Sequence, residues 1–464
     1  MNYNGNKAEN VKIAYIGGGS RGWAWGLMSD LAQAEDMTGE VYLYDIDFGA
    51  AQHNEIIGNR INELDECKSA WTYKAVKTIG EALSGADFVV ISILPGTFDE
   101  MESDVHTPEK YGIYQSVGDT SGPGGIVRSL RTIPMMEEIA KAIKEYSPNA
   151  WVINYTNPMT VCVRTLYKTF PEIKAFGCCH EVFGTKNVLI KALDDICGIK
   201  DVKRDDIKVN VVGVNHFTWF TSARYRDIDL FDVYRKFSDK YSETGYYEKT
   251  DTNWMNNSFA CAERVKLDLF NRYGYIAAAG DRHLAEFCPG HWYLNNPEQV
   301  KNWKFGLTTV EWRKNDLKKR LEKSARLVAN DEQFKINATG EEGVKQMRAL
   351  LGLGDFTTNV NIPNVGQIPN LPLGAVVETN AVFRTDSVVP VFAGDIPKEI
   401  YPLISRISGE QELIVEAGAK RNLEKAFTAF VNDPLVLLNL EDAKKLFDEM
   451  VDNTKKYLTE YLMP

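Results

Sequence analysis

Cysteine is scarce and poorly placed for cross-linking. Seven thiols occur in 464 residues. They are irregularly spaced, one pair is adjacent (Cys178-Cys179) and there is no CxxC repeat, which excludes a disulfide framework and a structural zinc site of the paired-thiol kind. Long apolar runs are lacking too. Phe88 to Leu94 is among the longest, far short of the roughly 20 residues that span a bilayer. Positive charge is in deficit: 53 Lys and Arg against 64 Asp and Glu leave a net charge of −11. No basic stripe interleaved with aromatics offsets it, so neither nucleic acid nor an anionic membrane is expected as the main partner. Met1 to Lys7 is polar and lacks the apolar centre of a signal peptide. Reduced thiols without that signal lead us to expect a cytoplasmic protein. No internal repeat or low-complexity linker interrupts the chain. What is present, 44% hydrophobic and 25% charged residues, is the composition of an ordinary globular protein, long enough for about two or three domains.

The first half alternates strand and helix. Val11-Lys12-Ile13-Ala14-Tyr15-Ile16 reads as a buried strand running into Gly17-Gly18-Gly19-Ser20-Arg21-Gly22. Gly17, Gly19 and Gly22 match GxGxxG: the first permits a tight turn, the second lets backbone approach a pyrophosphate, and the third lets the following helix pack close. That helix, from Trp23, would aim its positive end at the phosphates. A second strand, Val41 to Tyr44, ends in Asp45, where an acid bonds ribose hydroxyls. Strand, glycine turn, helix, strand and acid in this order predict a dinucleotide site. The apolar run Asp87 to Ile93 predicts a strand covered on both faces, as in a parallel sheet.

Gly118 to Gly125 reads equally as a loop admitting a ligand or as a surface turn, with a helix predicted from Ile126 to Tyr146. The strand beginning at Trp151 stops at Thr156-Asn157-Pro158, where Asn157 offers an amide to a substrate hydroxyl, caps the next helix, or does both. The strand from Ala175 delivers Cys178-Cys179-His180-Glu181 to the sheet edge at which open α/β sheets bind ligands. Thiolate and imidazole are both transition-metal ligands, whereas free cysteines also pack as small hydrophobes. Asn215-His216 presents a second imidazole at the end of Val209 to Val214.

Beyond about residue 200 the pattern changes. An antiparallel pair around Asn215-His216, then helices from Phe231 to Tyr241 and from Asn257 to Tyr273, predict a second, α+β domain. The expected division is 9–200 and 201–464. Asp281, Arg282, His283 and Glu286 concentrate ionisable groups between apolar flanks. The plainer reading is a helix start capped by Asp281, with His283 paired to Glu286. Trp303 to Leu327 reads as a solvated helix without chemistry, Glu378 as a buried acid on a strand, and the end from Pro397 as helical, with apolar faces suited to a core or a subunit interface.

Taken together, Gly17-Gly18-Gly19-Ser20, Asp45, Gly122-Pro123-Gly124-Gly125, Asn157-Pro158, Cys179-His180-Glu181-Val182, Asn215-His216 and Leu373-Gly374-Ala375-Val376-Val377-Glu378 resemble glycoside hydrolase family 4 over essentially the whole length. The tetrad Cys-His-Glu-Val resembles its α-galacturonidase subgroup. The resemblance implies an α/β fold: a Rossmann-like, lactate/malate dehydrogenase-like doubly wound sheet, binding NAD through Gly17, Gly19, Ser20, Gly22 and Asp45, followed by a catalytic and oligomerisation domain. It implies Mn²⁺ held by Cys179 and His216, although these ligands alone would suit zinc or iron. It places Asn157 on substrate, His180 where relatives carry an acid, and His283 or Asp281 as the base for the C2 proton. Arg282, Arg128 or Arg131 would face a uronate carboxylate. The implied reaction oxidises C3, eliminates across C1 and C2, adds water and returns the hydride, a known exception to two-carboxylate glycosidases. Ile93-Leu94-Pro95-Gly96 lacks the arginine of phospho-sugar subgroups. The resemblance also implies a homodimer or homotetramer. Alternatives are an α-galactosidase or α-glucosidase of the same family, a lactate/malate-type NAD-dependent dehydrogenase, or a catalytically silent sensor on that scaffold.

Overall fold

The computed structural model describes residues 1–246, 261–307 and 309–462. The chain opens with β1 (Asn2–Asn4) folded back on β2 (Lys7–Ile16), then lays down β3 (Met37–Tyr44), β4 (Trp71–Val76), β5 (Phe88–Ile91), β6 (Trp151–Asn154) and β7 (Lys174–Gly177). From β2 onward these pair in parallel in the order β4-β3-β2-β5-β6-β7. This is the doubly wound arrangement expected, with the strand order reversing between β2 and β5, the point where such sheets open a crevice. All four residues of β5 are buried, because helices cover both faces.

The expected division at residue 200 does not separate two sheets. β8 (Ile207–Val214), β9 (Phe217–Tyr225), β10 (Ile228–Asp229) and β11 (Ile276–Ala277) form a small antiparallel sheet. β12 (Phe356–Pro363), β13 (Val376–Arg384) and β14 (Ser387–Pro390) instead return to the first sheet, where Asn361 pairs with Gly177 at its β7 edge. The result is one ten-stranded sheet. β12 escaped sequence reading because Asn359 and Asn361, both buried, are residues that strands usually avoid.

Glycines 122–125 are not a surface turn. They are buried in the first turn of the helix Gly122–Tyr146, which therefore starts before Ile126. A Cβ on Gly124 would lie 2.7 Å from the Asp104 carbonyl oxygen, and one on Gly125 would lie 2.4 Å from the Thr120 carbonyl carbon. Only glycine lets this helix pass so close. The helix Leu230–Tyr241 matches expectation; the one expected from Asn257 starts instead at Arg264, since residues 261–263 are not helical, and 257–260 lies outside the described residues. The C-terminal helices Tyr401–Ala419, Leu423–Asn432 and Leu440–Asn453 bury Ile404, Ile407, Ile414, Phe430, Phe447 and Met450 in one core with Ile126, Leu130 and Phe217. Among the described residues no helix is long and apolar enough to cross a membrane.

Candidate active site

A cavity of about 1790 Å³ opens at the carboxyl ends of the parallel strands. At one end its wall is the glycine loop. The N–H groups of Gly17 and Gly18 both donate to the Tyr44 carbonyl at 2.9 Å. Gly17 has φ +93°, and a Cβ there would meet the Ser92 carbonyl oxygen at 2.0 Å. Asn54, fully buried, donates to the carbonyls of Gly18 (2.7 Å) and Ser20 (2.9 Å). Gly22 caps the helix Trp23–Ala32, whose first turn carries no acid. An acid-free helix N-terminus behind a glycine cradle fits a dinucleotide pyrophosphate. Gly17, Gly19, Ser20, Gly22 and Asp45 all line this end. Asp45 also does something unexpected: its two oxygens accept from the N–H groups of Gly19 (2.8 Å) and Asp47 (2.9 Å), bracing the loop from beneath.

The other end is built from imidazoles and carboxylates. His216 occupies the β8–β9 hairpin turn with φ 63°, a left-handed conformation that histidine tolerates better than most residues. Its Nδ1 lies 3.2 Å from the Thr120 hydroxyl, which donates to Asp119 at 2.7 Å; this fixes the ring and leaves Nε2 for another partner. The His283 ring lies 3.9 Å from that of His216, centroid to centroid. Its Nε2 is 3.5 Å from Glu181 Oε1, and Glu181 Oε2 accepts the Gly280 N–H at 2.8 Å. Burial would push Glu181 and Asp119 up, but His283, His180 and His216 around the first, and Arg128, His216, His283 and Arg313 around the second, hold each at about 2. Burial and the neighbouring His283 lower His216 to about 3, and burial lowers His283 as well. Both shifts favour the neutral form of His216 and of His283. Asn157 completes this end. It does not cap the next helix, which begins after Pro158 without a side-chain cap, and among the described residues its buried Oδ1 has no hydrogen-bond partner.

The two cysteines divide. Cys178 packs in the core beside Phe176 and Val360, as the plain reading has it. Cys179 is also buried, against Met159, Val163 and Val376, just outside the cavity wall. Burial, Glu378 and Glu181 keep its thiol well above the ordinary range, while the Asn215 side chain bonds it. Asn215 is held by Glu378 Oε2 (3.3 Å), and Asn359 bridges Glu378 Oε1 (2.6 Å) and the Cys179 carbonyl (3.3 Å). Burial raises Glu378 to about 7. A thiol and an imidazole with an available Nε2, both oriented from behind, fit a divalent ion that displaces the thiol proton on binding. Among the described residues a group of three donors lies elsewhere: the ligand atoms of Cys261, Glu263 and Asp281 are within 4.8 Å of one another. Lys266 pairs with Glu263 there at 2.5 Å, so an ammonium already offsets the charge of that acid.

Several sequence expectations need correction. Asp281 is fully buried, and its oxygens accept from Val265 and Lys266 N–H, each at 3.1 Å, capping the helix Arg264–Tyr273 rather than its own. Its carboxyl, raised to about 7 by burial and Glu263, also lines the cavity. His283 does not pair with Glu286, which accepts from Val117 (2.7 Å) and Gly118 (3.0 Å). Arg282 reaches the wall, but its guanidinium donates to the carbonyls of Gly306 (3.1 Å) and Ser116. Arg131 is buried on Asp104 and away from the cavity, whereas Arg128 lines it and donates to the Asn157 carbonyl at 3.1 Å. The supposedly solvated helix, Val310–Ala329, contributes Arg313, Asp316 and Arg320 to the wall. Charge density hid that face. Asp119 and Glu181 also went unassigned, although Glu181 stands inside the tetrad.

Residues 12–195 match the model of the family 4 glycosyl hydrolases, and residues 211–436 match that of their C-terminal domain. The chain belongs to family 4 of the glycosyl hydrolases. Among its relatives, the α-galacturonidase of Thermoanaerobacterium saccharolyticum is 64% identical, covering 99% of this chain and 98% of that one. The crystal structure of Bacillus subtilis lplD is 52% identical with a TM-score of 0.90, over 95% of this chain and 100% of the other. A 6-phospho-α-glucosidase from gut microorganisms, solved with NAD and Mn²⁺, shares the fold at 21% identity and a TM-score of 0.78, over 97% of this chain and 99% of the other. Within this family 4 chain, His180 and Glu181 of the tetrad and His216 of the β8–β9 turn line one cavity, in the two regions that the family matches span.

Proposed function

We propose that the protein is an α-galacturonidase acting by oxidation, elimination, addition and reduction, with NAD and Mn²⁺. The observation that carries this reading is the convergence of Asn157, His180, His216 and His283 on one end of the cavity whose other end is the glycine cradle. The full-length similarity to an α-galacturonidase supports the sugar, and the missing arginine at Ile93-Leu94-Pro95-Gly96 disfavours a 6-phosphate on it.

When bound, NAD supplies a hydride acceptor at C3 and Mn²⁺ a Lewis acid for the adjoining oxygens. Cys179 and His216 would hold the metal. The Asn157 amide orients a sugar hydroxyl, which requires an unsatisfied polar atom facing the substrate. His283 takes the C2 proton. It is neutral and ready to accept, and Glu181, ionised 3.5 Å away, stabilises the imidazolium that results. His180 gives a proton to the oxygen leaving C1. Arg128 and Arg282, both at the wall, supply positive charge for the uronate.

The test is release of nitrophenol from 4-nitrophenyl α-galacturonide, α-galactoside and α-glucoside, with thiol, NAD and Mn²⁺ present and absorbance from NADH followed in parallel. Galacturonide cleavage dependent on both cofactors, without NADH accumulating, is expected. Preference for another sugar would reassign the subgroup. Stoichiometric NADH with no cleavage would make the protein a dehydrogenase.

A further inference from the structure

The segment following the helix Val310–Ala329 lines the cavity at Ala338, Thr339 and Gly340 and is clamped from two sides. The Thr339 N–H donates to Asp30 Oδ1 at 3.1 Å, and its hydroxyl donates to Asp30 Oδ2 at 2.5 Å. Arg204 donates to the Gly340 carbonyl (3.2 Å) and to Glu342 Oε1 (2.9 Å). Beyond it Gly343 is pressed onto Tyr155, where a Cβ would come within 2.1 Å of the phenol oxygen. Between these clamps the Glu341 N–H donates to Thr339 Oγ1 at 3.0 Å. Its side chain, only 7% exposed, sets Oε1 2.8 Å from Nδ1 of His180, an ion-pairing approach that is not aligned as a hydrogen bond in this rotamer. The Trp23 ring flanks the same imidazole, with centroids 6.4 Å apart. His180 itself lines the cavity.

We propose that Glu341 is a positioning residue: it holds Nδ1 of His180 so that Nε2 is presented to the oxygen departing from C1. This rests on the reading of His180 as the acid. An imidazole can turn about its side-chain bond and exchange tautomers; a carboxylate held beside one nitrogen favours one ring orientation and the tautomer protonated toward it. As the C1–O bond breaks, its electron pair goes to the oxygen, which takes the Nε2 proton. The neutral ring keeps its remaining proton on Nδ1, toward Glu341. The carboxylate comes from a segment more than a hundred residues away in the chain, and its clamps make it a rigid support.

The experiment compares Glu341→Ala, Glu341→Gln and His180→Ala in the full-length protein loaded with NAD and Mn²⁺, using 4-nitrophenyl and methyl α-galacturonide. For Glu341→Ala, kcat on the methyl glycoside should fall about 10- to 100-fold. On the nitrophenyl glycoside, whose oxygen leaves without help, it should fall less than about threefold, with KM little changed on either. Glu341→Gln still accepts the Nδ1 proton and should recover much of the loss, and His180→Ala should show the same split, enlarged. Unreacted methyl glycoside should also gain solvent deuterium at C2, because departure now lags proton removal. Equal losses on both substrates, or none, would overturn the positioning role. A split for His180→Ala without one for Glu341→Ala would retain the acid and discard its support. No split for either would discard the acid and, with it, this proposal.

Discussion

At the glycine end the cavity wall presents the backbone of the loop after β2, braced by Asp45 and Asn54. At the imidazole end the wall is side chains from the ends of β6 and β7, the β8–β9 turn, the loop before Gly122 and the short helix Asp281–Glu286. The first end recognises a ligand by close approach, so it needs residues with nothing to offer but space. The second does chemistry, so it needs titratable groups and has to offset the burial of each. Recognition by backbone is local in sequence, whereas proton transfer between neighbours is assembled from afar.

The sharpest way to break this contrast is to remove a single imidazole. His283→Ala should lower kcat by about 10² to 10⁴ while the NAD dissociation constant and melting temperature change little, as read by steady-state kinetics, NAD titration and a thermal melt. Loss of NAD binding would mean that the two ends are not separable. Gly17→Ala tests the opposite end. Its Cβ would sit 2.0 Å from the Ser92 carbonyl oxygen on a backbone with φ +93°, so we expect a loss of about 1–3 kcal/mol in stability together with weakened NAD binding. At this end a binding lesion is also a folding lesion.

The smallest effect concerns the carboxyls behind the imidazole end. Burial raises Glu286 from 4.5 to about 8, so the folded chain holds a proton that the unfolded chain releases. Its contribution to stability is complete below about 4.5 and declines as pH climbs to about 8. Glu286→Gln keeps an acceptor for Val117 and Gly118 and should flatten that decline in melts taken across this range; an unchanged slope would count against it. Glu181 runs the other way. Held at about 2, it stabilises the fold above its unfolded value near 4.5 and loses that contribution as pH falls toward 2.

How much of this was legible follows from the same contrast. Gly17, Gly19, Gly22 and Asp45 could be found because a tight turn and a close approach impose residue types at fixed offsets. Cys179, His180 and His216 could be nominated because each ends a readable strand, but the spacing between them says nothing of how they meet. Asp281 was expected to cap its own helix and instead caps Arg264–Tyr273, because which helix an acid serves depends on what packs beside it. Arg313 was hidden in a helix whose charge pattern reads as solvated.

By itself, the sequence determined the parallel sheet, the glycine cradle and the set of candidate ligands, because periodicity and turn chemistry act over a few residues. Only the tertiary structure decided that β12 to β14 complete the first sheet, that Glu181 sits between His283 and His180, and that Glu341 reaches Nδ1 of His180. Those pairings depend on which segments share a buried volume, and burial is a property of the folded chain.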